Sequence, residues 1–179
     1  MHSIEIERLI IRPLQPKDHD DLQAIILDPE VVKYTRYRDT TTPEFFTKIF
    51  EDHFLTETKY TFGIEDKLSR HIIGFYEFHP SKDTGILTYA LGQSAWGHGY
   101  VAEVGRAMMK YGFTELKFQR IEAHYANLNP RSGRVMSKMG MHDLGEVEVF
   151  TFPTGEVVHV LAYELTKDDW LSGKQEQAV

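Results

Sequence analysis

The stretch Ser94-Ala95-Trp96-Gly97-His98-Gly99-Tyr100-Val101-Ala102-Glu103 follows a predicted strand and opens a predicted helix. Its two glycines, spaced by one residue, let the backbone turn tightly and present several N–H groups in one direction. The N-terminus of the helix behind them adds partial positive charge. The segment therefore predicts an anion site suited to a phosphate or pyrophosphate. A tight turn between strand and helix that binds no ligand is the alternative.

Two other glycine-rich phosphate sites fit this turn less well. A dinucleotide-binding fingerprint would place its third glycine at Ala102, which is a tolerated variant. However, the preceding strands look like antiparallel hairpins, and no acidic residue closes a following parallel strand in the expected way. A P-loop is excluded because its Gly-Lys-Ser/Thr ending is missing. A nucleotide-dependent enzyme that uses the turn stays open as an alternative class.

The hydrophobic pattern on both sides of this turn predicts the fold class. Alternating apolar residues predict strands, and apolar residues at helical spacing predict helices. The predicted strands are residues 3–12, 60–65, 71–78, 86–91, 120–126, 146–151 and 157–165, and the predicted helices begin after Asp18 and Thr42 and span residues 100–116 and 130–139. This order predicts an α+β fold, an α/β sandwich whose mixed, mostly antiparallel central sheet is flanked by about four helices.

The composition bounds what the chain does. Its 179 residues suffice for one domain, which we place at residues 1–171, followed by a frayed tail at 172–179. With 20 Lys and Arg against 27 Asp and Glu, the formal net charge is −7, the opposite of what a nucleic-acid platform needs. No apolar run approaches the roughly 20 residues of a membrane span, and residues 1–7 lack a signal-peptide pattern. We expect a cytoplasmic protein that binds neither nucleic acid nor membranes.

Metal and thiol chemistry find no support in the sequence. The chain has no cysteine, which excludes disulfides, thiolate metal sites and cysteine nucleophiles. Its nine histidines show no H-x-H, H-x₃-H or HExxH spacing, so we expect no metal.

A second informative stretch lies about thirty residues after the glycine turn. Asn129 stands where a helix N-cap belongs and Pro130 at the first helical position, and helix initiation explains both. Ser132 then falls at the third helical position, where a local hydrogen bond is the ordinary fate of its hydroxyl.

Together these segments resemble the Gcn5-related N-acetyltransferase (GNAT) superfamily, in particular the branch of the RimJ- and RimL-like ribosomal-protein-alanine acetyltransferases. The match extends in family order from about Arg8 to Trp170. Its pieces are Arg8-Leu9-Ile10-Ile11-Arg12-Pro13-Leu14, Asp28-Pro29-Glu30-Val31, Ile73-Gly74, Trp96-Gly97-His98-Gly99-Tyr100 with Glu103, Asn129 with Ser132, and Gly155 with Tyr163.

The resemblance implies acetyl transfer from acetyl-coenzyme A to an amine. The family holds the coenzyme A pyrophosphate on backbone N–H groups, a role that carries over to Gly97, His98, Gly99, Tyr100 and Val101. Pantetheine adds like an extra strand beside the residues that correspond to Tyr89, Ala90 and Leu91. The family has Gln or Arg where this chain has Ser94, which weakens one side-chain contact to phosphate. The implied acceptors are protein N-terminal α-amines, polyamines, amino acids or other small amines.

The catalytic groups are expected on three elements. Many relatives protonate the departing thiolate with a tyrosine at the position of Met136, which cannot donate, whereas RimL-type relatives use a serine at the position of Ser132. We expect Ser132 to donate to the sulfur while Asn129 orients the cofactor. Glu77, His79 or Tyr89, acting through water, is expected as the base, and a backbone N–H near Leu91 as the oxyanion donor. For Glu77, a solvated strand carboxylate is an equally good interpretation.

Three further expectations concern mechanism and assembly. Because the chain has no cysteine, direct attack by the amine within a ternary complex is simpler than an acyl-enzyme route. The competing function is a noncatalytic acyl-coenzyme A binding or regulatory module, which Met136 and Ser94 favour slightly. The final two strands could supply the edge of a homodimer.

Overall fold

The computed structural model describes residues 3–151 and 154–173, with Phe150 described in its backbone only. The strands are β1 (Ile4–Glu5), β2 (Leu9–Arg12), β3 (Thr61–Asp66), β4 (Ile72–Ser81), β5 (Thr84–Leu91), β6 (Arg120–Ala126), β7 (His142–Thr151) and β8 (Val157–Thr166). The helices are α1 (His19–Ile26), α2 (Pro29–Val32), α3 (Pro43–Ile49), α4 (Tyr100–Thr114), α5 (Pro130–Lys138) and α6 (Lys167–Leu171). A π-helical turn, Phe50–Phe54, directly continues α3.

The sheet has eight strands in the order β1-β2-β3-β4-β5-β6-β8-β7. Of the strand pairs whose register is described, β5 and β6 run parallel and the others antiparallel. A mostly antiparallel mixed sheet with helices is the fold class that the sequence predicted, and that prediction is confirmed. No helix in the described parts of the chain is long and apolar enough to cross a membrane.

One detail of the predicted element order is wrong, and the structure adds two short helices. Residues 3–12 form two strands instead of one, because Ile6 N donates to Leu9 O at 3.0 Å and turns β1 back onto β2. The described residues hold six α-helices instead of about four. The added α2 and α6 are too short for a hydrophobic period and are marked by their caps, since Asp28 accepts from Glu30 N and Thr166 from Asp169 N.

A buried ion-pair network explains why Asp18 does not cap α1 with its side chain. Both Asp18 carboxylate oxygens accept from the Arg12 guanidinium, at 2.7 and 2.9 Å. Arg12 Nε also donates to Glu65 Oε2 at 2.5 Å, and all three side chains are buried. The hydrogen bond to Asp18 and the charge of both carboxylates raise the pKa of Arg12 despite the opposing effect of burial. Buried charges need this pairing, because an unpaired one is strongly destabilising.

The described residues form two compact units, 3–78 with 88–104, and 79–87 with 105–151 and 154–173. In the first unit, α1, α3 and the π-helical turn bury an aromatic cluster that includes Phe46, Phe50, Phe54 and Phe75. In the second, Gly105 lets α4 approach the end of α5 closely, since a Cβ there would overlap Met139 Sδ. The assignment of residues 1–171 to one domain stays a prediction.

Some predictions for the C-terminal part fall outside these residues. Phe152 and Pro153 of the last predicted turn, and residues 174–179 of the predicted tail, are not described. β7 is the last strand of the sheet, and its Leu144, Val147 and Val149 are 45–50% exposed. The homodimer edge stays a prediction.

Candidate active site

The glycine turn has the backbone conformation that an anion site requires. Gly97 has φ +82° and Gly99 φ +78°, the left-handed region that other residues adopt only at a cost. A Cβ at either position would meet nothing within 4 Å, so the dihedral angle and not crowding requires glycine. α4 begins at Tyr100, so five predicted contacts, Gly97 to Val101, lie together in the turn and the first helical turn.

Arg8, the residue before β2, binds the glycine turn and the first turn of α4. Its guanidinium donates to Glu103 Oε2 from Nη2 at 2.7 Å and from Nε at 3.1 Å. The same Nη2 donates to the carbonyl oxygen of His98 at 3.0 Å, and the guanidinium carbon lies 4.4 Å from the centre of the Tyr100 ring. The His98 and Tyr100 rings stack on each other at 5.4 Å. Arg8 therefore fixes both the turn and the start of the helix.

The residues between β5 and the turn are held by two side chains. Trp96 Nε1 donates to the carbonyl oxygen of Leu91 at 2.8 Å, and Gln93 Nε2 donates to Asp28 Oδ2 at 2.8 Å. Ser94 lies between them with its side chain exposed. These two contacts fix the direction in which the chain leaves β5 and enters the glycine turn.

The register of β4 against β5 follows from two contacts. Gly92 N donates to Ile73 O at 2.9 Å, and the rings of Tyr76 and Tyr89 stack at 5.7 Å with 14° between their planes. In an antiparallel pair, this register sets Glu77 opposite Thr88, the residue before Tyr89. A Cβ at Gly74 would lie 2.5 Å from the carbonyl oxygen of Ala90, so the two strands approach closely there.

Tyr89 and Glu77, both predicted as candidate bases, are not brought together. Successive residues of a strand point to opposite faces of the sheet. Tyr89 stacks on Tyr76, so its ring lies on the face opposite to the side chain of Glu77. His79 belongs to β4 in the second unit and is partly buried.

Glu77 has no exposed surface, which corrects its interpretation as a solvated strand carboxylate. Tyr37 Oη lies 2.8 Å from each of its carboxylate oxygens and donates to them. His53 Nε2 lies 2.7 Å from Glu77 Oε1. Burial, followed by the charge of Glu77, raises the pKa of Tyr37, so its hydroxyl keeps the donated proton. Glu77 is thus a buried carboxylate held by two side chains.

The sequence patterns give no indication of His53 or Tyr37 at this site. They lie 24 and 40 residues from Glu77 along the chain, and no short motif links them. His53 belongs to the π-helical turn Phe50–Phe54, and π-turns inside helices often mark functional sites. The sequence gives no signal for such a turn, since its apolar residues fit a continued α-helix.

Asn129 and Ser132 lie together at the start of α5 in the second unit. Asn129 is the N-cap residue, but its side chain does not cap the helix. Its Nδ2 donates instead to Ser132 Oγ at 2.9 Å. A serine hydroxyl has one hydrogen, so this contact leaves that hydrogen for another acceptor. Met136, one turn further on, is 2% exposed.

Within residues 3–151 and 154–173, no three His, Asp or Glu side chains are grouped so that they could hold a metal ion. The candidate groups are a left-handed glycine turn at the start of α4, a buried carboxylate that contacts a histidine, and a serine hydroxyl that contacts Asn129.

A comparison with protein families identifies the chain. The family model described as "Acetyltransferase (GNAT) domain" matches residues 8–142. The chain belongs to the GNAT acetyltransferase family. The match includes Arg8, the glycine turn and Ser132, and it confirms the resemblance drawn from the sequence.

Two relatives and one solved structure show how this GNAT chain compares with others. It is 27% identical over 176 residues to the uncharacterized N-acetyltransferase p20 of Bacillus licheniformis, covering 95% of this chain and 99% of that one. It is 28% identical over 117 residues to the [ribosomal protein uS5]-alanine N-acetyltransferase of Escherichia coli, covering 63% and 60%. The spermidine N-acetyltransferase of Vibrio cholerae, solved with CoA and spermine, superimposes with TM-score 0.77 at 17% identity, covering 92% and 98%. This last likeness shows the fold.

Proposed function

We propose that this GNAT protein is an enzyme that transfers the acetyl group of acetyl-coenzyme A to a primary amine. The observation that carries the proposal is the turn at Gly97–Gly99, where two left-handed glycines precede the 15-residue helix α4. Backbone N–H groups that converge at a helix N-terminus bind phosphate without needing basic side chains. A chain of net charge −7 thereby holds an anionic cofactor.

The cofactor would lie along the first unit. The backbone N–H groups of residues 97–101 would hold its pyrophosphate, and its pantetheine amides would pair with Tyr89, Ala90 and Leu91. The parallel register of β5 with β6 covers Thr84–Leu87, and the proposed segment follows those residues. Ser94 would contribute at most a short hydroxyl contact to phosphate. Acetyl-coenzyme A supplies an activated acyl group, and the protein's residues bind it and move protons.

Ser132 would protonate the departing thiolate, and Asn129 would orient the cofactor. The 2.9 Å contact from Asn129 Nδ2 to Ser132 Oγ supports this assignment, because it directs the serine hydrogen away from the amide. A free α-amine has a reference pKa of about 8, so proton transfer near neutral pH needs only modest assistance.

The amine would attack directly, with both substrates bound. The chain contains no cysteine to form a thioester intermediate with the enzyme. The oxyanion that develops would be stabilised by a backbone N–H near Leu91.

The acceptor class is open to a direct test. We propose a screen of thioester consumption with ribosomal-protein N-terminal peptides, polyamines, free amino acids and aminoglycosides, each at several concentrations. The uS5-alanine N-acetyltransferase relative supports peptide α-amines as one arm, and the spermidine N-acetyltransferase fold supports polyamines as another. We expect amine-dependent release of coenzyme A with at least one class, and an acetylated product by mass spectrometry.

Two results would contradict this proposal. Tight binding of acetyl-coenzyme A without acetylation of any amine would indicate a noncatalytic acyl-coenzyme A binding module. Binding of ADP-ribose or NAD that coenzyme A does not displace would indicate a nucleotide-dependent enzyme.

A further inference from the structure

We propose that His53 is the catalytic base that takes the proton from the attacking amine, and that Glu77 is the positioning residue that holds it for this task. The inference rests on the proposed acetyltransferase function and names the residue that acts on the amine.

Glu77 is the wrong group to meet an amine directly. Its side chain is 0% exposed, and both carboxylate oxygens accept from Tyr37 Oη at 2.8 Å while one also contacts His53. An amine that reached this carboxylate would have to displace a buried hydrogen bond. Breaking such a bond leaves a desolvated polar group unpaired, which is unfavourable.

His53 connects this buried carboxylate to solvent. Its side chain is 31% exposed, and its Nε2 lies 2.7 Å from Glu77 Oε1. A carboxylate oxygen accepts, so Nε2 must carry the hydrogen, and in the neutral ring the lone pair then belongs to Nδ1. The carboxylate thus selects the tautomer whose Nδ1 is free to accept a proton, and it stabilises the imidazolium that forms.

Tyr37 keeps the carboxylate in place. Its ring packs against Phe54 at 5.4 Å and edge-on against Phe75 at 5.3 Å, so its hydroxyl reaches Glu77 from a rigid position. The π-helical turn Phe50–Phe54 carries His53, whose Nε2 contacts Glu77 Oε1. The ring of His53 in turn packs edge-on against Phe54 at 5.3 Å. Glu77 and Phe54 therefore hold the imidazole directly, and Tyr37 holds Glu77.

The position of Glu77 in the sheet fits a role of His53 beside the thioester of the bound cofactor. The register of β4 with β5 sets Glu77 opposite Thr88, next to the segment proposed to pair with pantetheine. With the pyrophosphate at residues 97–101, pantetheine would run back along β5 from Leu91 toward Thr88, the residue opposite Glu77. All of these residues belong to the first unit.

The proton and electron balance is simple. The lone pair of the neutral amine forms the new C–N bond to the acetyl carbon, and the C–S bond breaks with its electrons on sulfur. The nitrogen loses one proton to His53 Nδ1, which passes it to solvent. The thiolate takes one proton from Ser132, which solvent restores. The products are the acetylated amine and coenzyme A thiol.

The decisive variant is His53→Gln, because the Gln amide can still donate to Glu77 but has no basic nitrogen. With the best amine from the acceptor screen, we expect kcat to fall about 100-fold, within the range for loss of a general base. The Kd of acetyl-coenzyme A and the Tm should stay close to wild type. His53→Ala should lose a similar factor and regain activity when imidazole is added, in proportion to its concentration.

The matched control is His19→Gln. His19 is in the same unit, has a side chain that is 28% exposed, and packs against Phe46 and Phe50. Its loss should change kcat less than threefold, and imidazole should not affect that variant.

Glu77 is tested by coupling. Glu77→Gln should lower kcat at least tenfold with little change in the KM of acetyl-coenzyme A, and combining it with His53→Gln should add almost no further loss. If Glu77 had a purely structural role, the two substitutions would lower kcat independently, and their fold-losses would multiply in the double variant.

Three results would overturn the inference. They are a kcat of His53→Gln within threefold of wild type, failure of imidazole to restore a folded His53→Ala, or independent effects of the two substitutions. Each of these would leave the proposed function standing, provided that the wild-type protein acetylates an amine. A wild type that acetylates no amine would overturn the proposed function and this inference with it.

Discussion

At the scale of single residues, the hydrogen bond between Asn129 and Ser132 shows how a helix start takes on another task. The N-cap residue would ordinarily accept from a backbone N–H of the first turn. Here its amide contacts Ser132 Oγ instead, while Pro130 needs no N–H partner at the first position. The pattern that marks helix initiation in the sequence therefore also aims a hydroxyl.

Replacement of that hydroxyl gives the first prediction. Ser132→Ala should lower kcat about 100-fold, the lower end of the range for general acid catalysis, and leave the Kd of acetyl-coenzyme A within twofold. Steady-state kinetics and calorimetric binding measure the two quantities. Ser137→Ala, on the same helix, is the control and should keep wild-type kcat. A wild-type kcat for Ser132→Ala would remove the proposed role.

At the scale of elements, β2 and α4 are joined through Arg8 and Glu103. From its position in the sequence, Glu103 adds favourable negative charge to the first turn of a helix. The structure adds that this carboxylate anchors Arg8, which also contacts His98 O in the glycine turn. The glycine turn is therefore contacted by a residue that lies just before β2, about ninety residues earlier in the chain.

Removing this contact gives the second prediction. Arg8→Ala should weaken binding of acetyl-coenzyme A about 5- to 10-fold, because the turn must then be ordered by the ligand, and should leave kcat nearly unchanged. Titration calorimetry and initial rates separate the two effects. The control is Arg120→Ala, an exposed ion pair with Glu164 at 3.0 Å, which should not change cofactor affinity. Unchanged affinity in Arg8→Ala would show that the turn holds its shape without Arg8.

At the scale of the whole molecule, two buried tyrosines tie stability to alkaline pH. Burial raises the pKa of Tyr76, helped by Tyr89, and burial with the charge of Glu77 raises that of Tyr37. A tyrosine whose pKa is higher in the folded state stabilises the protein fully below the unfolded value near 10. That stability is lost as the pH rises from about 10 through the folded value, because only the unfolded chain then releases its proton.

Tyr76→Phe supplies the third prediction. Above pH 10, each such tyrosine reduces the free energy of unfolding by up to about 1.4 kcal/mol per pH unit, so this variant should lose stability less steeply than wild type. Among the described residues Tyr76 Oη has no hydrogen-bond partner, so we also expect Tyr76→Phe to be as stable as wild type at pH 8, or about 1 kcal/mol more stable. Urea unfolding between pH 8 and 11 measures both.

The control for this experiment is Tyr34→Phe, whose ring is 37% exposed. It reports what the loss of a surface hydroxyl does to the same unfolding curves. An alkaline slope of Tyr76→Phe equal to that of wild type would contradict the assignment of the lost stability to Tyr76.

Much of the fold could be predicted because its signals are local. Thr42 and Pro43 mark the start of α3, and the structure shows Thr42 accepting from Phe45 N. β6 begins and ends at the predicted residues 120 and 126. The split of residues 3–12 into β1 and β2 could not be predicted, because the choice between one strand and a hairpin depends on which neighbour the chain pairs with.

The sequence by itself determined the glycine turn and the family, because left-handed glycines and helix caps depend on residues a few positions apart. Only the tertiary structure decided what Glu77 does. Its burial, its bonds to Tyr37 and His53, and the separation of Tyr89 onto the other face arise when strands and helices pack together. A glutamate in a strand pattern gives the same sequence signal whether its carboxylate faces water or contacts a histidine. Only the packing of the elements distinguishes these two environments.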